Sequence, residues 1–269
     1  MIRILAAATL VVALLGSGAA PATAAPAITL PPTSGAADYQ LGGAYRPATG
    51  VTVVTRDSTS KPATGVYSIC YVNGFQSQPG DRRLWLTKHK NLVLTRSGKP
   101  VIDRNWPDEL ILDTSTAAKR RAIARIVGKS IATCAKKGFD AVEIDNLDSY
   151  SRSKRALTAS DNRALATLYA TTAHRAGLAI GQKNSAEQSA RLKKAVGFDF
   201  AVAEECHRFS ECSAYTRVYG SHVIDIEYTD DLRGDFSDVC TAKKPPALTV
   251  LRDRDLTPRG SSAYVFEHC

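Results

Sequence analysis

The stretch Ala141-Val142-Glu143-Ile144-Asp145-Asn146-Leu147-Asp148 decides how this chain folds. Apolar residues at 142 and 144 alternate with acids at 143 and 145, the period of a strand with two unlike faces. A segment of helical period, 116–137, precedes it and stops at Gly138. A second, 158–176, follows it and stops at Gly177. A strand between two helices is the unit of a parallel sheet. Outward from it, seven more short apolar or β-branched runs read as strands, at 39–41, 51–55, 67–72, 178–181, 200–203, 223–226 and 248–251, with a third helix at 185–195. Eight strands with intervening helices predict a single-domain α/β fold, a (β/α)8 TIM-like barrel. An open doubly wound sheet is the alternative, but no glycine-rich G-x-G-x-x-G follows a strand. Residues 75–113 are too long for a simple connection. They form an insertion after the third strand, with Trp85, Trp106 and a short hairpin at 92–102, placed to shape a cleft.

The chain has 269 residues, 44% hydrophobic and 23% charged, the composition of a folded domain. Arg3, the apolar run 4–15 and Ala22-Thr23-Ala24 read as a cleaved secretory signal over 1–24. An Ala/Pro-rich linker follows at 25–37, then the barrel domain at 38–269. The apolar run is shorter than the ~20 residues that span a bilayer, and no later segment is long and apolar enough. A secreted, extracellular monomer is expected. Six cysteines in an exported chain predict disulfides. Of the fifteen possible pairings, Cys206 with Cys212 could close a short loop and Cys240 with Cys269 could pin the C-terminus, which would leave Cys70 with Cys134; spacing alone leaves the pairing open. No paired C-x-x-C pattern suggests a structural metal. The formal charge is +9. The cations are scattered over helical segments and form no nucleic-acid module, so no nucleic-acid partner is expected.

In a barrel of this kind, chemistry collects at the C-terminal strand ends. Here the ends are loaded with acids: Asp57 after the second strand, Glu143, Asp145 and Asp148 at the fourth, Glu204 and Glu205 at the sixth, Glu227 at the seventh, Asp253 at the eighth. Two opposed carboxylates are the apparatus of glycosidic bond cleavage. Tyr39, Tyr71, Trp106 and Tyr228 offer aromatic surface, although Trp106 is expected to pack within the cleft wall. Ion pairing with Lys183, Arg252 and Arg254, or a hard cation among the carboxylates, are competing readings. The five histidines do not gather at strand ends, which weighs against a metal-dependent hydrolase.

Asp38-Tyr39-Gln40-Leu41, Tyr71-Val72-Asn73-Gly74, Glu143 to Asp148, Gln182-Lys183-Asn184 and Glu204-Glu205-Cys206 resemble glycoside hydrolase family 114, the endo-α-1,4-polygalactosaminidases, from about Asp38 to Cys269. The resemblance implies a retaining-type barrel with an acid on the fourth strand, Asp145, and another on the sixth, Glu204 or Glu205. The family order puts its acid first in the pair and favours Glu204. Strand alternation, with Phe200 and Val202 turned to the helices, favours Glu205. Ala203 stands where many members have Asn. The implied substrate is a partly deacetylated, cationic α-1,4-galactosamine polymer, with no cofactor and no metal. Expected substrate contacts are Asp38, Tyr39, Asp57, Tyr71, Glu143, Asp148, Lys183, Glu227, Tyr228 and Asp253. Asp145 is expected to be ionised beside Lys183 and to act as nucleophile. Glu204, as acid, is expected to be the drier of the two and to have a raised pKa. The competing function is a polysaccharide-binding protein on the same scaffold.

Overall fold

The computed structural model describes residues 27–242 and 245–269. The expected signal segment lies outside them. All eight expected strands form: β1 (Ala36–Gln40), β2 (Val51–Asp57), β3 (Tyr67–Asn73), β4 (Ala141–Asp145), β5 (Ala179–Lys183), β6 (Phe200–Glu204), β7 (Val223–Tyr228) and β8 (Leu248–Arg252). They are laddered in that order, all parallel, and β9 (Phe266–His268) adds antiparallel to β8. The helices are α1 (Arg82–Lys88), α2 (Ala117–Lys137), α3 (Ser149–Arg152), α4 (Ala159–Arg175), α5 (Ser189–Val196), α6 (Cys212–Tyr219) and α7 (Phe236–Thr241). This is a nearly closed (β/α)8-type barrel in which the β1–β2 and β2–β3 connections carry no helix. The insertion between β3 and α2 holds α1 and a hairpin that pairs Thr95–Arg96 with Lys99–Pro100.

Local chemistry sets the helix ends. Thr116 accepts from the Lys119 amide to cap α2, and Gly138 ends it in the left-handed region at φ 89°. Thr158 and Asp161 form a reciprocal capping box at the start of α4.

The period of two sorts the strand side chains. Val142 and Ile144 pack outward against Ile123, Val127, Leu165 and Tyr169. Tyr39, Val53, Ile69, Ala141, Ala179, Phe200, Val202, Ile226 and Val250 fill the barrel interior. The phase of β6 is therefore the reverse of the alternation reading. Phe200 and Val202 face the axis, Ala201 and Ala203 face the helices, and Glu204 completes the inward set. The reason lies on β5: a Cβ on Gly181 would meet the Phe200 ring at 2.5 Å, so only glycine leaves room for Phe200 inside.

Between β1 and β8 the ladder is open. Arg252 spans the gap, donating to Asp38 at 3.2 Å and to the backbone carbonyl of Tyr39. The expected linker is not free. Tyr67 donates its hydroxyl to Thr29 O at 2.7 Å, a ring nitrogen of His222 lies 3.0 Å from Pro31 O, and regular structure starts at Ala36, two residues before the expected boundary. Cys70–Cys134, Cys206–Cys212 and Cys240–Cys269 form as the three expected disulfides. They tie β3 to α2, close the loop after β6 and fasten the C-terminus to α7.

Gly181→Ala should lower stability by about 1–3 kcal/mol, because the rigid, buried Phe200 ring must shift. Equilibrium urea unfolding checks this. An unchanged midpoint would mean that Phe200 does not depend on the space at Gly181.

Candidate active site

Three adjacent strands end in the same way. Asn146 after β4, Asn184 after β5 and Glu205 after β6 all have positive φ, at 63°, 51° and 60°. Asparagine tolerates this region, but for glutamate it is a strained conformation of the sort that collects at functional sites. Each turn leaves the last inward side chain of its strand, Asp145, Lys183 and Glu204, pointing into the barrel mouth.

Lys183 sits at the centre, 2% exposed. Its ammonium donates to Tyr39 Oη at 2.7 Å and to Glu143 Oε1 at 2.9 Å, and lies 3.4 Å from Glu204 Oε2 and 4.0 Å from Asp145 Oδ2. Tyr39 donates in turn to Glu143 at 2.6 Å. The two cleft carboxylates are each oriented by a phenol: Tyr71 donates to Asp145 Oδ2 and Tyr228 to Glu204 Oε1, both at 2.6 Å. Asp145 Oδ1 also accepts from the Asn146 amide, and Glu204 Oε2 from the Asn184 side chain at 2.9 Å.

Burial alone would discharge Lys183, but Asp145, Glu143 and Glu204 together hold its pKa well above the ordinary lysine value. Burial pushes Glu204 up. The Lys183 ammonium, the Tyr228 hydroxyl and the Asn184 amide outweigh it and hold the carboxyl below the usual range. Glu143, enclosed beneath the cleft, is raised by burial in spite of Lys183 and Tyr39. Two expectations are thereby corrected. Glu204 is not raised in the free protein, because three donors favour its anion. Nor is it the drier acid: its side chain is 28% exposed against 20% for Asp145.

A cleft of about 570 Å³ opens over this cluster, within the about 300–1,000 Å³ of small-ligand sites. Asp57, Tyr71, Asp145, Asp148, Lys183, Glu204, Glu205 and Tyr228 line it as expected. Asp38, Tyr39, Glu143, Glu227 and Asp253 do not. Asp38 pairs with Arg252 at the β1–β8 seam, and Tyr39 and Glu143 lie under Lys183. Glu227 faces the helix side of β7, where it accepts from the His207 amide at 2.8 Å. Asp253 accepts from the Thr257 and Val265 amides. Glu205 lines the cleft, but its carboxylate is held by Arg254 at 2.8 and 3.1 Å. The Arg254 guanidinium also binds Asp230 and lies 4.1 Å over the Tyr228 ring. Trp106 is not packed in the wall: it lines the cleft and is 61% exposed. The insertion also brings Asp103, Asn105 and Glu109, which the sequence reading did not single out. Their signal was the acidic and aromatic run Asp103 to Glu109.

The family description of glycoside hydrolase family GH114 matches residues 18–269. The chain belongs to glycoside hydrolase family GH114. Among solved structures, that of Aspergillus fumigatus Ega3 in complex with galactosamine is similar with a TM-score of 0.67 and 21% identity, over 94% of this chain and all of that one. The glycoside hydrolase domain of PelA from Pseudomonas aeruginosa is similar with a TM-score of 0.61 and 16% identity, over 84% of this chain and 98% of that one. No curated protein sequence matches the chain.

Behind the cleft, this GH114 barrel carries a second pair of carboxyls that has no Lys or Arg within salt-bridge distance among the described residues. Asp225 and Glu227, both fully buried on the outer face of β7, accept from the backbone amides of Cys206 and His207 at 3.2 and 2.8 Å. They thus hold the turn that follows Glu204 and Glu205. Their other oxygens, Oδ2 of Asp225 and Oε2 of Glu227, have no donor among the described residues unless a proton is shared between the two groups. Burial and the neighbouring Glu227 push Asp225 well above the usual range, and burial raises Glu227. The folded state therefore keeps a proton that the unfolded chain releases near pH 4. The stabilisation is complete below that pH and is lost as pH rises through the folded pKa. Asp225→Asn carries its donor at every pH. Its thermal midpoint should fall less than the parent's between pH 5 and pH 8. Parallel declines in the two proteins would rule out the shared proton.

Proposed function

We propose that this protein is a secreted endo-acting hydrolase of α-1,4-linked galactosamine polymers, working with retention through Asp145 and Glu204. The observation that carries the reading is the pair of cleft-facing carboxylates on either side of the buried Lys183 ammonium. That bridge keeps Asp145 and Glu204 nearer to each other than much of the about 6.5–9.5 Å span of inverting enzymes, and admits the about 5–5.5 Å of retaining ones. Family membership and the likeness to Ega3, whose structure holds galactosamine, support the substrate class. Export is supported by the apolar N-terminal run and by three disulfides.

In this mechanism Asp145, aligned by Tyr71, attacks the anomeric carbon. The bond to the leaving 4-oxygen breaks as Glu204 gives that oxygen its proton. The Glu204 carboxylate then takes a proton from water, which attacks the anomeric carbon and frees Asp145. Once Asp145 is an ester it no longer competes for the Lys183 charge. Lys183 then favours the anion of Glu204, as the second step requires. Inward phase and greater exposure favour Glu204 over Glu205, whose carboxylate is held by Arg254.

The test is product release from partly deacetylated α-1,4-galactosaminogalactan by the chain lacking residues 1–24. Glu204→Gln should lose about 10²–10⁴-fold in kcat, Asp145→Asn should be inactive, and Glu205→Gln should retain turnover. Loss in Glu205→Gln with activity in Glu204→Gln would move the acid by one residue. Binding without products in the parent would make this a polysaccharide-binding protein.

Because Tyr228 stabilises the Glu204 anion, Tyr228→Phe should raise the Glu204 pKa and move the alkaline limb of kcat/KM to higher pH. A pH–rate profile checks the direction. A limb that stays in place would exclude Glu204 as the group that titrates.

A further inference from the structure

Most buried or half-buried acids of the cleft are matched to a cation. Asp145 and Glu204 share Lys183, Glu205 has Arg254, and Asp103 is bound by Arg152 at 2.6 Å. Glu109 is different. It lines the cleft, is 8% exposed, and has no Lys or Arg within salt-bridge distance among the described residues.

Its two oxygens are used unequally. Asn73 Nδ2 and Gln76 Nε2 both donate to Oε2, at 2.8 Å each. Oε1 has no hydrogen-bond partner among the described residues, yet it is not enclosed by protein. The asymmetry is built in. Asn73 Oδ1 is engaged by the Asn146 side chain and the Gln76 amide, both at 3.0 Å, so its NH2 group must face Glu109. Gln76 Oε1 faces Arg152, which turns its NH2 group the same way. Both donors are thus fixed on one oxygen, and the other is left for something in the cleft.

A carboxylate in this setting is costly, since burial, with Asp145 and Asp103 nearby, raises its pKa. A cationic ligand offsets that cost better than a hydroxyl does. Trp106 sits three residues earlier in the same turn, where Glu109 N donates to Trp106 O at 3.0 Å. Its exposed ring adds a face for a sugar or an ammonium. Asn146 and Asn73 connect this corner directly to Asp145.

We propose that Glu109, with Trp106 beside it, forms a subsite for the free ammonium group of a deacetylated galactosamine unit and makes this protein select amine-bearing over N-acetylated or neutral sugar at that position. The proposal rests on the polymer-hydrolase reading for its biological substrate, but binding alone tests it. Galactosamine, N-acetylgalactosamine and galactose are titrated into the parent, Glu109→Gln and Glu109→Asp by calorimetry, and the deacetylated and N-acetylated polymers are then compared as substrates. The parent should prefer galactosamine over galactose, and Glu109→Gln should cut that preference about ten-fold or more, as for loss of a charged hydrogen bond. Glu109→Asp, which keeps the charge, should restore part of it. In Glu109→Gln, KM on the deacetylated polymer should rise more than kcat falls.

A parent that binds galactose as well as galactosamine overturns the subsite, as does an amine preference that survives Glu109→Gln. In either case cleavage by the parent leaves the hydrolase reading standing. A parent that cleaves nothing but binds galactosamine through Glu109 sinks the hydrolase reading and supports the subsite.

Discussion

The buried ammonium of Lys183 holds the barrel mouth together. A cation there costs several kcal/mol unless charge and hydrogen bonds surround it, and five other strands contribute what it needs. Tyr39 comes from β1, Glu143 and Asp145 from β4, and Glu204 from β6. Tyr71 of β3 and Tyr228 of β7 orient the two outer carboxylates and present their ring faces to Lys183 and to Arg254 respectively. Glu143 does not reach the cleft, but without it the lysine would lose its closest anion and Tyr39 its acceptor.

That arrangement imposes an order on protonation. The same ammonium that aligns the two acids also favours the anion of Glu204, so the free protein has Glu204 poised as a base rather than as an acid. Substrate and proton must arrive against this preference. The second half of the proposed reaction, in which Glu204 activates water, is the half the resting site is prepared for. On the far side of β7, the Asp225–Glu227 pair grips the backbone that carries these acids and gives the strained turn at Glu205 a fixed support.

Charge is divided between the two sides of the protein. Helix α2 has seven Lys or Arg and no acid over its length, and Arg121, Arg125, Lys129 and Lys136 are exposed. The cleft is lined by carboxylates. A basic body with an acidic groove is compatible with the cationic substrate proposed above, because the local field over the cleft, not the net charge, governs approach.

Much of this was legible in the chain. Alternation across 141–145 and the helix stops at Gly138 and Gly177 follow from local geometry and placed the eight strands; acids at most strand ends marked Asp145 and left Glu204 and Glu205 as alternatives. Cysteine spacing suggested the disulfide pairs without fixing them. What the sequence could not decide is which face of a strand looks inward when both are apolar. On β6, Phe200 and Val202 fit either side, and a glycine on the neighbouring strand settles it. Nor does an acid at a strand end reveal whether it lines the cleft, as Asp57 and Asp148 do, or meets a buried partner, as Asp38, Glu143, Glu227 and Asp253 do. That depends on contacts between residues far apart in sequence. Glu109 is the extreme case: its setting is made by Asn73, Gln76 and Asn146, which only the closed barrel and its folded insertion bring to one corner. Period and capping act within a few residues and are written in the sequence; partner choice acts across the barrel and exists only once the chain has closed on itself.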